Sequence, residues 1–182
     1  MESLADIFKR HAVWGVDAGH ADKGSTHSYI DVYERLLAPY RERCDFMEIG
    51  VASGYSMKMW GEYFGRHCEI WGVDLSFTFD AQGFDDRFRW FACDATKPGE
   101  FWPPEKCFDV IIDDASHMEA DQRATFELLK GKMNRGGLYI IEDILAPEHA
   151  LPMLTALHDR VEVFDLRAQK GRFDDMLIVY RF

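Results

Sequence analysis

The 182-residue sequence has no run of lysines and arginines, no C-x-x-C pair, no apolar stretch long enough to span a bilayer, and no internal repeat or low-complexity linker. Each absence narrows the function. Without a basic run, and with a formal net charge of −11, the molecule's field repels phosphate backbones, so a nucleic-acid partner is disfavoured. Cys44, Cys68, Cys93 and Cys107 stand singly, which suits reduced, buried thiols and argues against a zinc site or a disulfide framework. The opening MESLADIFKRHAVWG carries acids early and lacks a long apolar core, so it does not read as a signal peptide. The expectation is one cytoplasmic domain over residues 1–182, with no membrane partner and a small ligand.

What is present is an alternation of strand-length apolar runs with helix-like segments, the pattern of parallel βαβ units in a doubly wound α/β sheet. FMEIGV (46–51), EIWGVDL (69–75), FRWFACD (88–94), FDVIIDD (108–114) and GLYIIED (137–143) are the expected strands, and nearly every one ends in an acid. Met57, Trp60 and Phe64 recur at helical spacing after the first strand. After the fourth, Ala124, Leu128 and Leu129 do the same, and Asn134-Arg135-Gly136-Gly137 reads as the C-cap and turn that ends that helix. RVEVFDLRAQ and MLIVYRF read as two further strands joined by a short polar turn around Gly171, and hence as an antiparallel pair. The expected sheet is seven-stranded, mostly parallel, with a C-terminal antiparallel hairpin. Residues 1–45 read as a helical and loop extension, with helical patterning at 28–41 after the glycine-bearing stretch DAGHADKGSTH.

In open α/β sheets ligands bind at the carboxyl ends of the strands, near the point where strand order reverses. The loop EIGVASGYS fits neither the G-x-G-x-x-G of a dinucleotide loop nor a P-loop, yet Gly50 and Gly54 permit close backbone approach and Ser56 opens the next helix. Glu48 argues for a cationic ligand group such as an ammonium or sulfonium. Asp74, at the end of the second strand, can accept both hydroxyls of a ribose, and Asp94, at the end of the third, can accept from an adenine amine. An adenosine with a cationic tail asks for these groups in this order, so S-adenosylmethionine is the inferred ligand. Any one of these acids taken alone reads equally as a solvated strand end.

The doublet Asp113-Asp114 recurs one strand later as Glu142-Asp143. Side chains alternate along a strand, so Asp113 is expected to face the cofactor and Asp114 the open cleft. If the two strands are neighbours, up to four carboxylates converge, and a hard divalent cation, Mg2+ by default, relieves their repulsion. Asp114 or Ser116 could instead cap the following helix. His117, three residues past Asp114, is placed to accept a proton from an acceptor hydroxyl.

EIGVASGYSMKMW, GVDL, DVIIDDASH and GGLYIIEDI, with the upstream DKGSTHSY and YERLL, resemble the metal-dependent macrolide-sugar O-methyltransferases of the tylosin and mycinamicin type and the related cephalosporin-hydroxylase-like proteins. The resemblance covers about residues 20–145, and the sheet expected above is that of class I methyltransferases. It implies that Asp114, Glu142 and Asp143 bind magnesium, that His117 is the base, and that Lys23, His27 and Tyr29 lie near the active site as lid or substrate contacts. Ala115 stands where the family usually has glycine, and the long N-terminal region of some members has no counterpart, which leaves acceptor and oligomeric state, self-association included, open. The implied activity is Mg-dependent methylation of a hydroxyl on a sugar or glycosylated small molecule. A metal-independent methyltransferase and a non-catalytic S-adenosylmethionine-binding module are the alternatives.

Overall fold

A computed structural model describes residues 2–12, 22–97 and 106–182; the first part of the glycine-bearing stretch, residues 17–21, lies outside them. Among the described residues seven strands form one sheet in the order β3-β2-β1-β4-β5-β7-β6. They are β1 (Asp45–Ile49), β2 (Glu69–Asp74), β3 (Phe88–Ala92), β4 (Phe108–Asp113), β5 (Met133–Ile141), β6 (Val161–Asp165) and β7 (Met176–Arg181). β1 to β5 run parallel, while β7 is antiparallel to both β5 and β6. The expected doubly wound sheet with an antiparallel C-terminal pair is therefore borne out.

Burial on both faces explains why the central strands read as continuous apolar runs. Phe46, Ile70, Val110, Ile112 and Leu138 face a core that includes Trp60 and Tyr33. On the opposite face Met47, Trp71, Ile111, Tyr139 and Ile141 pack with Phe126 and Leu154. The first layer is built by α1 (Leu4–Ala12), α2 (Ile30–Leu37) and α3 (Tyr55–Tyr63), the second by α4 (Glu119–Leu129) and α5 (Pro147–Thr155). Among the described residues no helix is long and apolar enough to cross a membrane.

Three local expectations are corrected. Asn134–Gly137 is not a helix C-cap: α4 ends at Leu129, a short 3-10 turn follows, and these residues make an irregularity inside β5, where pairing jumps from Phe108↔Met133 to Val110↔Leu138. Asn134 donates to Asp109 there, and Gly136 takes a φ of +85°, which a glycine adopts without a steric penalty. The buried stripe of α4 is Gln122, Thr125, Phe126 and Leu129, an i, i+3, i+4, i+7 face, so Ala124 and Leu128 lie off it. The link between β6 and β7 is no tight turn, because it holds the one-turn helix α6 (Arg167–Lys170), ended by Gly171 in the left-handed region.

Chain order runs β1, β2, β3 outward on one side and β4, β5 on the other, so the reversal falls between β1 and β4. Registers Ile49↔Val73 and Ile49↔Asp113 bring three strand ends level, and Asp114 N donates to Ile49 O at 2.8 Å. At Gly50, φ +89°, a Cβ would stand 1.9 Å from the carbonyl oxygen of Asp114. The glycine is thus required by the contact of two backbones at the switch point, whatever binds there. Gly50→Ala should cost at least about 3 kcal/mol, from overlap plus an unfavourable backbone conformation; urea denaturation measures it, and a variant as stable as the parent would refute the close approach.

Candidate active site

The strand ends deliver acids, and the pleat decides where each one points. Asp113 turns into the α4 face, where it is buried and accepts a hydrogen bond from Tyr139 Oη at 3.1 Å. Asp114, one residue on, points the other way and meets Lys23. The Lys23 ammonium lies 2.6 Å from Asp114 Oδ2, 2.6 Å from Glu142 Oε1 and 3.1 Å from Glu48 Oε1, with the lysine side chain only 1% exposed. Tyr33 Oη donates to the same Glu142 oxygen at 2.5 Å, and Ser56 Oγ donates to Glu48 Oε2 at 2.7 Å. Glu48, read from the sequence as a partner for a cationic ligand, has an internal cation and a serine as its contacts.

A second cluster shares Asp114 and centres on Asp143. His117 Nε2 lies 3.1 Å from Asp114 Oδ1 and 3.6 Å from Asp143 Oδ2. Asp143 Oδ1 accepts from Tyr29 Oη at 2.5 Å and lies 3.1 Å from His27 Nδ1. The His27 ring stacks on Tyr29 with centroids 4.9 Å apart. His117 and Asp143 both adopt positive φ, 58° and 56°, a left-handed conformation that Asp and His accept more readily than most side chains. Ser116 takes no part in it: its Oγ donates to Asp121 and accepts from Met118 N, next to the start of α4.

The segment that carries Lys23 and His27 is held from outside. Lys170 Nζ donates to the carbonyls of Gly24, Ser25 and His27, and Ser28 N donates to Asp175. Arg167 and Arg172, the other bases of the β6–β7 link, pair with Asp165 and Asp174.

The electrostatics follow from burial. Loss of water and the nearby Asp114 push Glu142 well above the usual carboxylate range and raise Asp143 to about 6. Against its own burial, the Lys23 ammonium holds Asp114 below its ordinary value, and the hydrogen bond to Asp114 raises His117 above its own. Three acids keep Lys23 charged despite its complete burial. Three carboxylates face the Lys23 ammonium, and burial raises Glu48 as it raises Glu142; Asp143 stands apart, beside His117, His27 and Tyr29. Among the described residues three sets of side chains are tight enough for a cation, Asp22–His27–Asp143, Asp114–His117–Asp143 and Glu48–Asp114–Glu142; Lys23 stands within the last, and the expected trio Asp114, Glu142 and Asp143 is divided between the second set and the third rather than gathered in one.

Beside this cluster opens a cavity of about 570 Å³. Gly50, Asp74, Asp94 and Asp113 line it, and so does Asp114. Asp74 accepts from Ala52 N and Leu75 N at 2.8 and 2.7 Å, which orients its carboxylate. Asp94 is held down to about 2 by hydrogen bonds from Lys97 and Thr96. Gly54 and Ser56 do not line the cavity: Gly54, φ +78°, starts α3 with the Phe79 ring 3.0 Å from where a Cβ would be. The sequence reading did not single out Tyr33, which falls within the helical patterning at 28–41. Tyrosines at 29 and 33 lie one helical turn apart, and two buried hydroxyls on one face need polar partners; that was the available signal.

No family model matches the sequence. Curated relatives do. The chain is 33% identical over 152 residues to the 8-demethyl-8-alpha-L-rhamnosyl tetracenomycin-C 2'-O-methyltransferase of Streptomyces olivaceus, covering 78% of this chain and 37% of the relative. It is 33% identical over 132 residues to the demethylmacrocin O-methyltransferase of Streptomyces fradiae (66% and 33%), and 33% over 137 residues to the mycinamicin VI 2''-O-methyltransferase of Micromonospora griseorubida (66% and 32%). The chain thus spans about a third of the length of the relatives it matches. Among solved structures it superimposes on the MycE methyltransferase of the mycinamycin pathway in complex with Mg, SAH and mycinamycin VI, with a TM-score of 0.74, 23% identity, and 99% of this chain on 54% of that one. The Mg and SAH complex of the same enzyme gives a TM-score of 0.72 at 24% identity. The fold is shared, and the family resemblance of the motifs is borne out.

Asp113 titrates in a way that tests its burial. Loss of water raises its carboxyl from 3.8 to about 7, against the Tyr139 hydrogen bond. The folded state therefore holds this proton more tightly than the unfolded chain, and stability is lost as pH rises from about 4 through about 7. Asp113→Asn should remove up to about 4 kcal/mol of that decline. Identical stability profiles for variant and parent, from denaturation at several pH values, would show that Asp113 is not the group responsible.

Proposed function

The chain is a homologue of the sugar O-methyltransferases of Streptomyces and Micromonospora, and on that premise we propose that it is an S-adenosylmethionine-dependent, Mg2+-dependent O-methyltransferase acting on a hydroxyl of a sugar or glycosylated small molecule. One observation carries the reading: Asp114 lines the 570 Å³ cavity and at the same time reaches His117, so a cofactor pocket and an acid–base group meet at one residue. A small-molecule acceptor, a cytoplasmic setting, and no nucleic-acid or membrane partner go with it.

In this reading Gly50, Asp74, Asp94 and Asp113 line the cofactor pocket, Glu48, Gly54 and Ser56 shape the loop behind it, and Asp114, Glu142 and Asp143 would hold the cation. The cofactor supplies an electrophilic methyl group, and the cation lowers the cost of negative charge on the acceptor oxygen. The rest falls to the chain's own groups. With Nε2–H directed to Asp114 Oδ1, His117 keeps Nδ1 as the proton acceptor for the attacking hydroxyl. Asp114 orients the imidazole and favours its protonated form once the proton has arrived. Tyr29 donates to Asp143 and His27 lies beside the same carboxylate oxygen, which fixes its direction.

A second reading drops the cation, because Lys23 already occupies the space among Glu48, Asp114 and Glu142; His117 and Asp114 would then act as a plain acid–base pair. The Asp114–His117–Asp143 set, from which Lys23 takes only Asp114 Oδ2, favours the first. Chelation separates them: methyl transfer should stop in EDTA and return with Mg2+, and activity indifferent to chelator would select the second. His117→Asn, whose side chain tolerates the left-handed backbone, should keep cofactor affinity and lose about 10²- to 10⁴-fold in kcat. A kcat within a few-fold of the parent would remove His117 from the proton transfer.

A further inference from the structure

Lys23 is the most completely enclosed cation among the described residues, and its three partners come from the ends of three different strands. Its ammonium donates to Asp114 Oδ2 and Glu142 Oε1 and forms an ion pair with Glu48 Oε1 at 3.1 Å. Its contacts are also selective. It takes Oδ2 of Asp114 and leaves Oδ1 for His117; it takes Oε1 of Glu142, an oxygen that Tyr33 also binds. A carboxylate pinned through one oxygen cannot rotate without breaking a charge-assisted hydrogen bond in a solvent-free space.

The geometry points to Lys23 as a positioning residue: it sets the rotamers of Asp114 and Glu142 so that a divalent cation finds them, together with Asp143, already aimed. This rests on the metal-dependent reading above and adds a role that the acids alone do not have. Lys23 is neither a lid nor a substrate contact in this view. Its side chain is closed off from the cleft, and the carbonyls around it are tied down by Lys170. The lysine works as an internal cation that neutralises one part of the acid cluster and so leaves the other part open to a metal.

The test is titration calorimetry of the full chain with Mg2+ alone, and with Mn2+ alone, for the parent and for Lys23→Met, which keeps the stem and drops the charge. S-adenosylhomocysteine affinity serves as the measure of an intact fold. Loss of a partner that orients metal ligands should weaken ion binding about 10- to 100-fold, while S-adenosylhomocysteine binds within about threefold of the parent, since Lys23 does not line its cavity. Three buried acids without their cation should also lower Tm by about 10 °C. If Lys23→Met is too unstable to study, Lys23→Met/Glu48→Gln removes one acid along with the cation; it should recover most of the Tm and still bind the ion weakly. Ion binding as tight as the parent's, or tighter, in either variant would overturn the proposal, because it would mean that the ammonium merely competes for the space. A parent chain that binds neither ion would overturn the metal reading itself, and this proposal with it.

Discussion

Like charges at one edge of a sheet are the constraint from which the rest of this structure follows. A parallel doubly wound sheet sends its strand ends to one side, and in this chain β1, β4 and β5 each arrive there with a carboxylate. Glu48, Asp114 and Glu142 would repel one another strongly in so dry a place. The Lys23 ammonium turns that repulsion into three ion pairs. Because Lys23 lies far from these strands in sequence, the segment 22–29 must fold over the strand ends, and Lys170 and Asp175 from the β6–β7 link hold it there. One electrostatic requirement thus ties the first helical layer, the sheet centre and the C-terminal strands together.

The strand pleat then divides the chemistry. Asp113 and Asp114 are neighbours in sequence and opposites in direction, one buried against Tyr139 and the other set toward His117 and Lys23. Between them runs the wall of the cavity, which both line. The glycine at position 50 allows the β1 and β4 backbones to approach closely enough for the cavity floor and the acid cluster to share Asp114. A cavity and an acid cluster are therefore adjacent, with Asp114 common to both.

Much of the architecture could be read directly from the chain. Five parallel strands, the helix after β1 and the antiparallel C-terminal pair follow from period and from acids at strand ends, because strands buried on both faces must be apolar throughout. Errors arose where local chemistry has two uses. Asn134–Gly137 has the composition of a cap and serves as a strand irregularity; Leu128 has helical spacing but lies off the buried face. Of the two loop glycines, Gly50 lines the cavity, whereas the Phe79 ring crowds the space above Gly54.

Sequence alone determined the fold class, the sheet edge at which function had to lie, and the acids and histidine gathered there, since each depends on periodicity and on neighbours within a few residues. Only the tertiary structure decided which carboxylate pairs with what. That Lys23 pairs with Asp114 and Glu142, and that Tyr29 and Tyr33 spend their hydroxyls on Asp143 and Glu142, depends on contacts across 91 to 119 residues of chain. Charge is a property of a residue, but its energy belongs to the distances among residues, and those exist only once the chain has folded.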